Sequence, residues 1–204
     1  MSMTVTYNTP GNTPGNISGD TSYDIVLAGR GGQGVLFLSR IIGKAALGQG
    51  LGVRTTETHG MAMRGGSVQC FVRLGSGLGP LFREGSASLL MVLHPAETGS
   101  GLSFVSNEGN MIINAGEGFD RSSIKGIHGV HLVDADLIAR QAGDQRSANL
   151  ALLGAAVALL DGFPIEAESV ERAISDSGPD EAARKNLEVF RLGLGVCRRP
   201  LTDS

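Results

Sequence analysis

The residues most suited to chemistry form a glycine-rich turn at residues 29–34, with the sequence Gly-Arg-Gly-Gly-Gln-Gly. An apolar run at residues 23–28 precedes the turn, and a longer apolar run begins at Val35. This order predicts a buried strand, a tight turn and the start of a helix. Glycines permit positive φ and close approach to the backbone, and a helix N-terminus offers unpaired N–H groups to a phosphate or carboxylate. The turn is therefore a candidate anion site, but its glycines are equally typical of tight packing between helix and sheet.

Strand and helix patterns alternate along the chain after this turn. Apolar or β-branched runs predict strands at residues 23–28, 53–56, 67–74, 89–93, 111–114 and 130–133. Apolar residues at helical spacing and capping residues predict helices at residues 33–47, 96–106, 134–142, 147–160, 164–178 and 180–194. The alternation predicts an α/β fold, as a three-layer α/β/α domain with a mainly parallel sheet that can include antiparallel strands. The turn and a polar loop at residues 57–66 both follow predicted strands, so we expect them to meet at one edge of the sheet.

The composition of the chain indicates one domain with two tails. Residues 1–22 are rich in Thr, Asn, Gly and Pro, which predicts a flexible N-terminal extension. Residues 23–195 form the predicted domain, and residues 196–204 a frayed tail. The extension lacks the pattern of a signal peptide, and no apolar run reaches the roughly 20 residues that span a bilayer. We therefore expect a cytoplasmic protein without membrane contact.

Charge and residue types exclude several classes of function. The net charge of −3 gives no bulk attraction to nucleic acid, and the 4% aromatic content leaves little for base stacking. The two cysteines, Cys70 and Cys197, cannot supply an iron–sulfur cluster or a zinc site by themselves. No spacing typical of metal ligands occurs, and no Ser, His and Asp stand in a recognisable nucleophile context. The sequence thus predicts no metal site and assigns no catalytic residue.

Two motifs together resemble a known family. Residues 29–35 and residues 59–67, His-Gly-Met-Ala-Met-Arg-Gly-Gly-Ser, resemble the gamma-type subunit of 2-oxoacid:ferredoxin (acceptor) oxidoreductases. The second motif is most similar to that of the small (beta) subunit of indolepyruvate ferredoxin oxidoreductase. Related subunits belong to enzymes that act on phenylglyoxylate, pyruvate or 2-oxoglutarate. The resemblance extends over residues 23–195 and includes Asn149 at the head of the apolar helix.

The resemblance implies a reaction that this chain does not complete alone. In the family, a 2-oxoacid is oxidatively decarboxylated with CoA to give an acyl-CoA, CO2 and a reduced acceptor; here the acid would be aromatic, as in indolepyruvate or phenylglyoxylate. The chain lacks a Gly-Asp-Gly…Asn-type diphosphate motif and the cysteines for clusters. The resemblance thus implies that larger partner subunits hold thiamine diphosphate, magnesium and iron–sulfur clusters. It also implies a hetero-oligomer that reduces ferredoxin or another acceptor, and no cofactor held by this chain alone.

Two hypotheses remain open for the loop at residues 57–66. Arg64 is suited to bind a CoA phosphate or a substrate carboxylate, the glycines after it allow close approach, and the methionines offer adaptable apolar contact. The same loop is suited to a subunit interface with Arg64 in an ion pair. The chain as a whole could also be a stand-alone nucleotide- or flavin-binding module, or a subunit that serves assembly alone. The candidate cofactor-binding residues are Gly29, Gly31, Gly32, Gln33, Gly34, His59, Met61, Arg64, Gly65, Gly66 and Asn149.

Overall fold

The computed structural model describes residues 3–7, 22–59, 65–75, 82–116, 118–124, 127 and 129–196. In this part of the chain, seven strands form one mixed sheet with the order β1-β3-β4-β2-β5-β6-β7. The strands are β1 (Met3–Tyr7), β2 (Ser22–Arg30), β3 (Val53–His59), β4 (Ser67–Gly75), β5 (Ala87–Val92), β6 (Val105–Asn114) and β7 (Gly129–Val133). The α-helices are α1 (Val35–Gly48), α2 (Ala135–Gln141), α3 (Ala148–Leu159), α4 (Ala167–Ser175) and α5 (Asp180–Leu194).

The sheet has a parallel half and an antiparallel half that join at β2. Strands β2, β5, β6 and β7 run parallel, whereas β4 is antiparallel to β2, β3 to β4, and β1 to β3. The predicted α/β fold is confirmed. The chain leaves β2 toward one side of the sheet through α1 and returns on the other side at β5. The carboxyl end of β2 is thus the topological switch point, where open α/β sheets place their binding crevices.

Two cores lie on opposite faces of the sheet, because successive side chains of a strand point to opposite sides. In β2, Ile25 and Leu27 belong to one core and Val26 and Ala28 to the other, and all four are fully buried. The five α-helices contribute to the first core. The second core is covered by a 3₁₀ helix, Pro95–Phe104, and by aromatic side chains such as Phe82. The layer on that face is therefore built from 3₁₀ helix and connecting segments rather than from α-helices.

Helix α3 is the central helix of the first core, as its nearly uniform apolar sequence predicts. Leu150, Leu152 and Leu153 are fully buried. A Cβ atom added to Gly154 would overlap the carbonyl oxygen of Phe190 in α5. This glycine lets the two helix backbones approach closely, so α5 packs directly on α3.

Two predicted elements differ from the observed ones. The helix predicted at residues 96–106 is the 3₁₀ helix Pro95–Phe104, and β6 begins directly after it at Val105. Glycines lower helix propensity there, and a Cβ on Gly101 would lie only 3.3 Å from Val26 Cγ1, so the absent side chain lets the segment lie against the sheet. The prediction that residues 57–59 belong to a loop is wrong. They continue β3, because β4 supplies backbone partners for them through the pair His59 and Val68.

The N-terminal extension contains an element that the sequence did not predict. Residues 3–7 form β1, which pairs antiparallel with β3 in the register Met3 to Glu57 and Tyr7 to Val53, and Ser22 already belongs to β2. The prediction of flexibility is corrected for these residues, because the free edge of β3 offers unpaired backbone groups to a neighbouring strand. The tail predicted at residues 196–204 lies, apart from Val196, outside the described residues.

Candidate functional site

The glycine turn joins the end of β2 to the start of α1. The N–H of Gln33 donates to the carbonyl of Arg30 at 3.1 Å, which closes the turn. Gly32 and Gly34 have φ values of 101° and 75°, in the left-handed region that L side chains rarely adopt. The local sequence therefore folds as predicted, because glycine stands at both positions that need positive φ.

The side chain of Gln33 stabilises the turn by hydrogen bonds to two backbone groups. Its Oε1 atom accepts a hydrogen bond of 2.8 Å from the N–H of Arg30, and its Nε2 atom donates to the carbonyl of Leu93 at 3.2 Å. Leu93 follows β5, so this amide fixes the spacing between the ends of two parallel strands. Gln33 also lines the cleft described below, and the second N–H of its amide makes no hydrogen bond to any residue that the structure describes.

The glycines of the turn differ in how much space a side chain would have at each position. A Cβ on Gly29 would lie 2.9 Å from Val35 Cγ2, and a Cβ on Gly34 would overlap the amide nitrogen of Asn149. These two positions need glycine for packing. A Cβ on Gly32 would meet nothing within 4 Å, so Gly32 leaves open space in front of the backbone.

The turn and the predicted second loop meet at one edge of the sheet. The N–H of Gly31 donates to the carbonyl of Gly66 at 2.9 Å, which confirms the expected contact between the two stretches. This bond also uses the amide that Gly31 would have offered to a ligand. Met61 and Arg64 lie outside the described residues, as does the side chain of His59, so their assigned roles stay predictions.

A cleft of about 190 Å³ opens beside the turn, at the carboxyl ends of β2, β5 and β6. Helix α1 begins next to it at Val35, with no side-chain cap and no acidic residue in its first turn. Helix α3 instead continues at Ala148 from a short 3₁₀ turn, Gln145–Ser147, in which the N–H of Arg146 donates to Asp144 Oδ1. Uncapped N–H groups and the helix dipole favour an anion at such a place. The cleft is lined by Gly32, Gln33, Leu93, Asn114, Asp136, Gln145, Arg146, Ala148, Asn149 and Leu152.

Asn149 belongs to this cleft, although it is not a neighbour of the turn in sequence. Its Nδ2 atom donates to the carbonyl of Gly34 at 3.2 Å, and its Oδ1 atom accepts from the N–H of Leu150 at 2.8 Å. The residue is 5% exposed. Asn149 thus ties the start of α3 to the start of α1 and lines the cleft with what remains of its amide.

The sequence reasoning missed several cleft residues, among them Asn114 and Arg146. Asn114 ends β6, and its side chain links the carbonyl of Leu93 at 3.1 Å to the N–H of Ala135 at 3.0 Å. Arg146 is 96% exposed in its side chain and lies 3.8 Å from Asp144. The signal for Asn114 was a buried-type strand that ends in a polar residue at the functional edge. Arg146 has no comparable signal in the sequence.

The charges and donors of the cleft suit one anionic group and not a metal ion. Arg146 supplies a cation, which lies 3.8 Å from Asp144, and the start of α1 supplies partial positive charge. Asp136 adds one carboxylate to the lining. Among the described residues, no group of three or more His, Cys, Asp or Glu could hold a metal ion. Burial raises the pKa of the Cys70 thiol to about 11, so this cysteine stays protonated at neutral pH. Cys197 lies outside the described residues.

Comparison with known proteins places this geometry in a family. Residues 24–196 match the pyruvate ferredoxin/flavodoxin oxidoreductase family. The indolepyruvate oxidoreductase subunit IorB of Methanothermobacter thermautotrophicus is 34% identical over 192 residues, which cover 86% of this chain and 97% of that subunit. None of the α-helices in the described part of the chain is long and apolar enough to span a membrane.

Solved structures share the fold. The pyruvate oxidoreductase subunit PORC of Thermotoga maritima superimposes with a TM-score of 0.67 at 25% identity, over 85% of this chain and 96% of that one. A 2-oxoglutarate:ferredoxin oxidoreductase of Magnetococcus marinus, solved with 2-oxoglutarate, coenzyme A and succinyl-CoA, has a TM-score of 0.70 at 23% identity, over 85% of this chain and 30% of that chain. From the sequence match and the shared fold, the chain belongs to the pyruvate ferredoxin/flavodoxin oxidoreductase family, as a gamma-type subunit of a 2-oxoacid:ferredoxin oxidoreductase.

Proposed function

We propose that this chain is the non-autonomous small subunit of a complex that oxidatively decarboxylates an aromatic 2-oxoacid. The products would be an acyl-CoA, CO2 and a reduced acceptor such as ferredoxin. The aromatic substrate is supported by the 34% identity to an indolepyruvate oxidoreductase subunit and by the match of that subunit over nearly its whole length. Phenylglyoxylate is the second candidate substrate, since it presents the same 2-oxoacid group on an aromatic ring.

The observation that carries this proposal is the size and position of the cleft. Ligand pockets commonly measure roughly 300–1,000 Å³, whereas this cleft measures about 190 Å³. It lies at the switch point of the sheet and beside the uncapped N-terminus of α1. A cleft of this size accommodates one part of a ligand, such as a phosphate or carboxylate group. The remainder of the ligand would lie against a partner subunit, which accounts for a subunit that is inactive alone.

CoA fits this cleft as the ligand whose anionic part is held here. Gly32 leaves its backbone accessible, Arg146 offers a fork of N–H donors that matches a phosphate, and the start of α1 favours negative charge. The amides of Gln33 and Asn149 hold these elements in place by the hydrogen bonds described above.

The reacting groups would come from the partner subunits. Thiamine diphosphate with magnesium supplies the carbanion chemistry when bound there, and iron–sulfur clusters take up the electrons. The described residues of this chain carry no metal-ligand group, and its one described cysteine is fully buried. The contribution of this chain is to bind and orient CoA at the edge of the shared site and to exclude water from it.

Co-expression with the adjoining reading frames tests the proposal. The purified complex would be assayed for CoA-dependent reduction of methyl viologen with indolepyruvate, phenylglyoxylate, pyruvate and 2-oxoglutarate. We expect turnover by the complex, none by the isolated chain, and the highest kcat/KM with an aromatic acid. Turnover by the chain alone, or a complex that turns over without CoA, would refute the proposal. A preference for pyruvate would refute only the substrate assignment.

Two other functions remain distinguishable by experiment. A stand-alone nucleotide- or flavin-binding module would bind ATP or FMN tightly without a partner, and calorimetry on the isolated chain measures this directly. A subunit that serves assembly alone would tolerate Arg64→Ala kinetically but lose the complex. Under the proposed function, Arg64→Ala lowers turnover or CoA affinity and leaves the complex intact.

A further inference from the structure

A buried carboxylate that was not among the predicted site residues links the end of β2 to the start of β4. Glu97 lies in the first turn of the 3₁₀ helix Pro95–Phe104, and its side chain is 11% exposed. One oxygen, Oε1, accepts a hydrogen bond of 3.1 Å from Arg30 Nε. The other, Oε2, accepts a hydrogen bond of 2.8 Å from the hydroxyl of Ser67. We call these three residues the Glu97 clasp.

The clasp connects segments that carry the candidate ligand contacts. Arg30 is the last residue of β2 and belongs to the glycine turn, and Ser67 is the first residue of β4, directly after the loop at residues 57–66. The two residues are opposite each other in the antiparallel pairing of β2 and β4. A buried carboxylate is costly unless it is paired and hydrogen-bonded, so the clasp is stable only while both loops hold their places.

Arg30 is held by only one edge of its guanidinium group. Nε donates to Glu97, and in the described part of the chain the two terminal nitrogens, Nη1 and Nη2, have no hydrogen-bond partner. The side chain is 42% exposed. A guanidinium fixed at Nε keeps its outer N–H groups in a defined direction, and this fork matches the two oxygens of a carboxylate or phosphate. Lysine would lack this fork, because its three N–H donors rotate about a single nitrogen and present no planar pair in a fixed direction.

We propose that Glu97 is a positioning residue that holds Arg30 so that Nη1 and Nη2 bind an anionic group of the ligand. The proposal rests on the proposed function. Arg30 is not among the residues that line the cleft; through Glu97 it is linked instead to Ser67, at the start of β4. The anion at Arg30 is therefore a second one, distinct from the group in the cleft. A carboxylate of the 2-oxoacid and a phosphate of CoA share the required chemistry.

Kinetics of the reconstituted complex test the role of Arg30 and identify the anion. Arg30→Gln and Arg30→Lys would each be compared with wild type, with Arg184→Gln in the exposed part of α5 as the matched loss of one arginine. We expect both Arg30 variants to raise one KM about 10- to 100-fold with kcat little changed, as the loss of a charge-assisted hydrogen bond requires. A raised KM for indolepyruvate identifies the carboxylate, and a raised KM for CoA identifies the phosphate. Unchanged KM values for both, or loss of the complex, would overturn the proposal.

A second measurement tests Glu97 without depending on turnover. In Glu97→Gln, we expect faster amide hydrogen exchange in residues 65–67 and at Gly31, whose N–H is bonded to Gly66, and a raised KM for the same ligand as in Arg30→Gln. In the double variant, Glu97→Gln should raise that KM no further. Unchanged exchange, or additive effects, would show that Glu97 does not act through Arg30. If wild-type complex turns over no 2-oxoacid, the proposed function fails, while the exchange result still decides whether Glu97 positions the loops.

Discussion

The contact between Gly34 and Asn149 can be tested by placing one methyl group at the turn. In Gly34→Ala, the residue must keep a φ near 75°, which costs an L residue about 1–2 kcal/mol. The new Cβ also overlaps the Asn149 amide, so the hydrogen bond from Asn149 to the Gly34 carbonyl is lost or distorted, at about 0.5–1.5 kcal/mol. We expect a loss of about 2–3 kcal/mol in the free energy of unfolding.

Two further variants separate the contributions. Gly32→Ala has a similar backbone problem, with φ at 101°, but its Cβ enters open space, so its cost should be limited to the backbone contribution. In an Asn149→Ala background, the nearest remaining neighbour of the Gly34 Cβ is Phe37 Cβ at 3.8 Å, an ordinary contact. Gly34→Ala should therefore cost less there than in wild type.

Urea unfolding of the purified chain, followed by far-ultraviolet circular dichroism, measures the stability of wild type, the three single variants and the double variant. The double-mutant cycle gives the coupling free energy between positions 34 and 149. We expect a coupling of about 1 kcal/mol, the order of one hydrogen bond. Equal costs of Gly34→Ala with and without the Asn149 side chain would refute the reasoning. Equal costs of Gly34→Ala and Gly32→Ala would show that the backbone conformation alone requires glycine.

Three other predictions concern the cores. Asp24 and Arg73 form a buried ion pair, with Oδ1 and Nε 2.7 Å apart. Asp24→Ala should lower the free energy of unfolding by about 3–5 kcal/mol, because it removes the carboxylate that pairs with a buried guanidinium. Asp24→Ala with Arg73→Met should recover part of that loss in the same urea assay. Gly154→Ala should lower the free energy of unfolding by about 1–3 kcal/mol, because the added methyl group overlaps the Phe190 carbonyl of α5. An unchanged thermal unfolding midpoint in this variant would contradict the close approach of α3 and α5. Burial raises the Cys70 pKa from its ordinary value of 9.0 to about 11, so the thiol of the unfolded chain ionises first as the pH rises. The free energy of unfolding should therefore fall by about 2–3 kcal/mol between pH 9 and pH 11. Cys70→Ala should show a smaller fall over this range, and an equal fall in that variant would refute the role of the Cys70 thiol.

Local patterns were sufficient to predict the elements that hold the site. Alternating or continuous apolar residues located β2, β4 and β5, and the apolar residues of α1 and α3 located two helices within one or two residues of their observed ends. These features depend on neighbours within a few positions. The positive φ of Gly32 and Gly34 was likewise implied by the glycine turn.

Contacts between distant segments were not predictable. Arg30 and Glu97 are 67 residues apart, and Gly34 and Asn149 are 115 apart, so no periodicity within either segment relates them. Strand direction was also hidden, because a buried strand has the same apolar pattern in parallel and antiparallel pairing. The antiparallel strands β3 and β4 bring the second loop to the turn, and the clasp exists only because of that pairing.

The surroundings of the turn glycines distinguish a site for a whole dinucleotide from a site for one anionic group. Gly29 and Gly34 are needed where side chains of Val35 and Asn149 approach, and the amide of Gly31 is bonded to Gly66. Within the described turn, Gly32 is the glycine that combines open space with a place in the cleft lining. A dinucleotide site uses successive backbone amides and the helix start to hold a pyrophosphate, but here packing and the second loop occupy most of that backbone. The turn is therefore better suited to hold one anionic group at the border of a shared site than to bind a whole dinucleotide, in agreement with a subunit whose partners supply the remaining contacts.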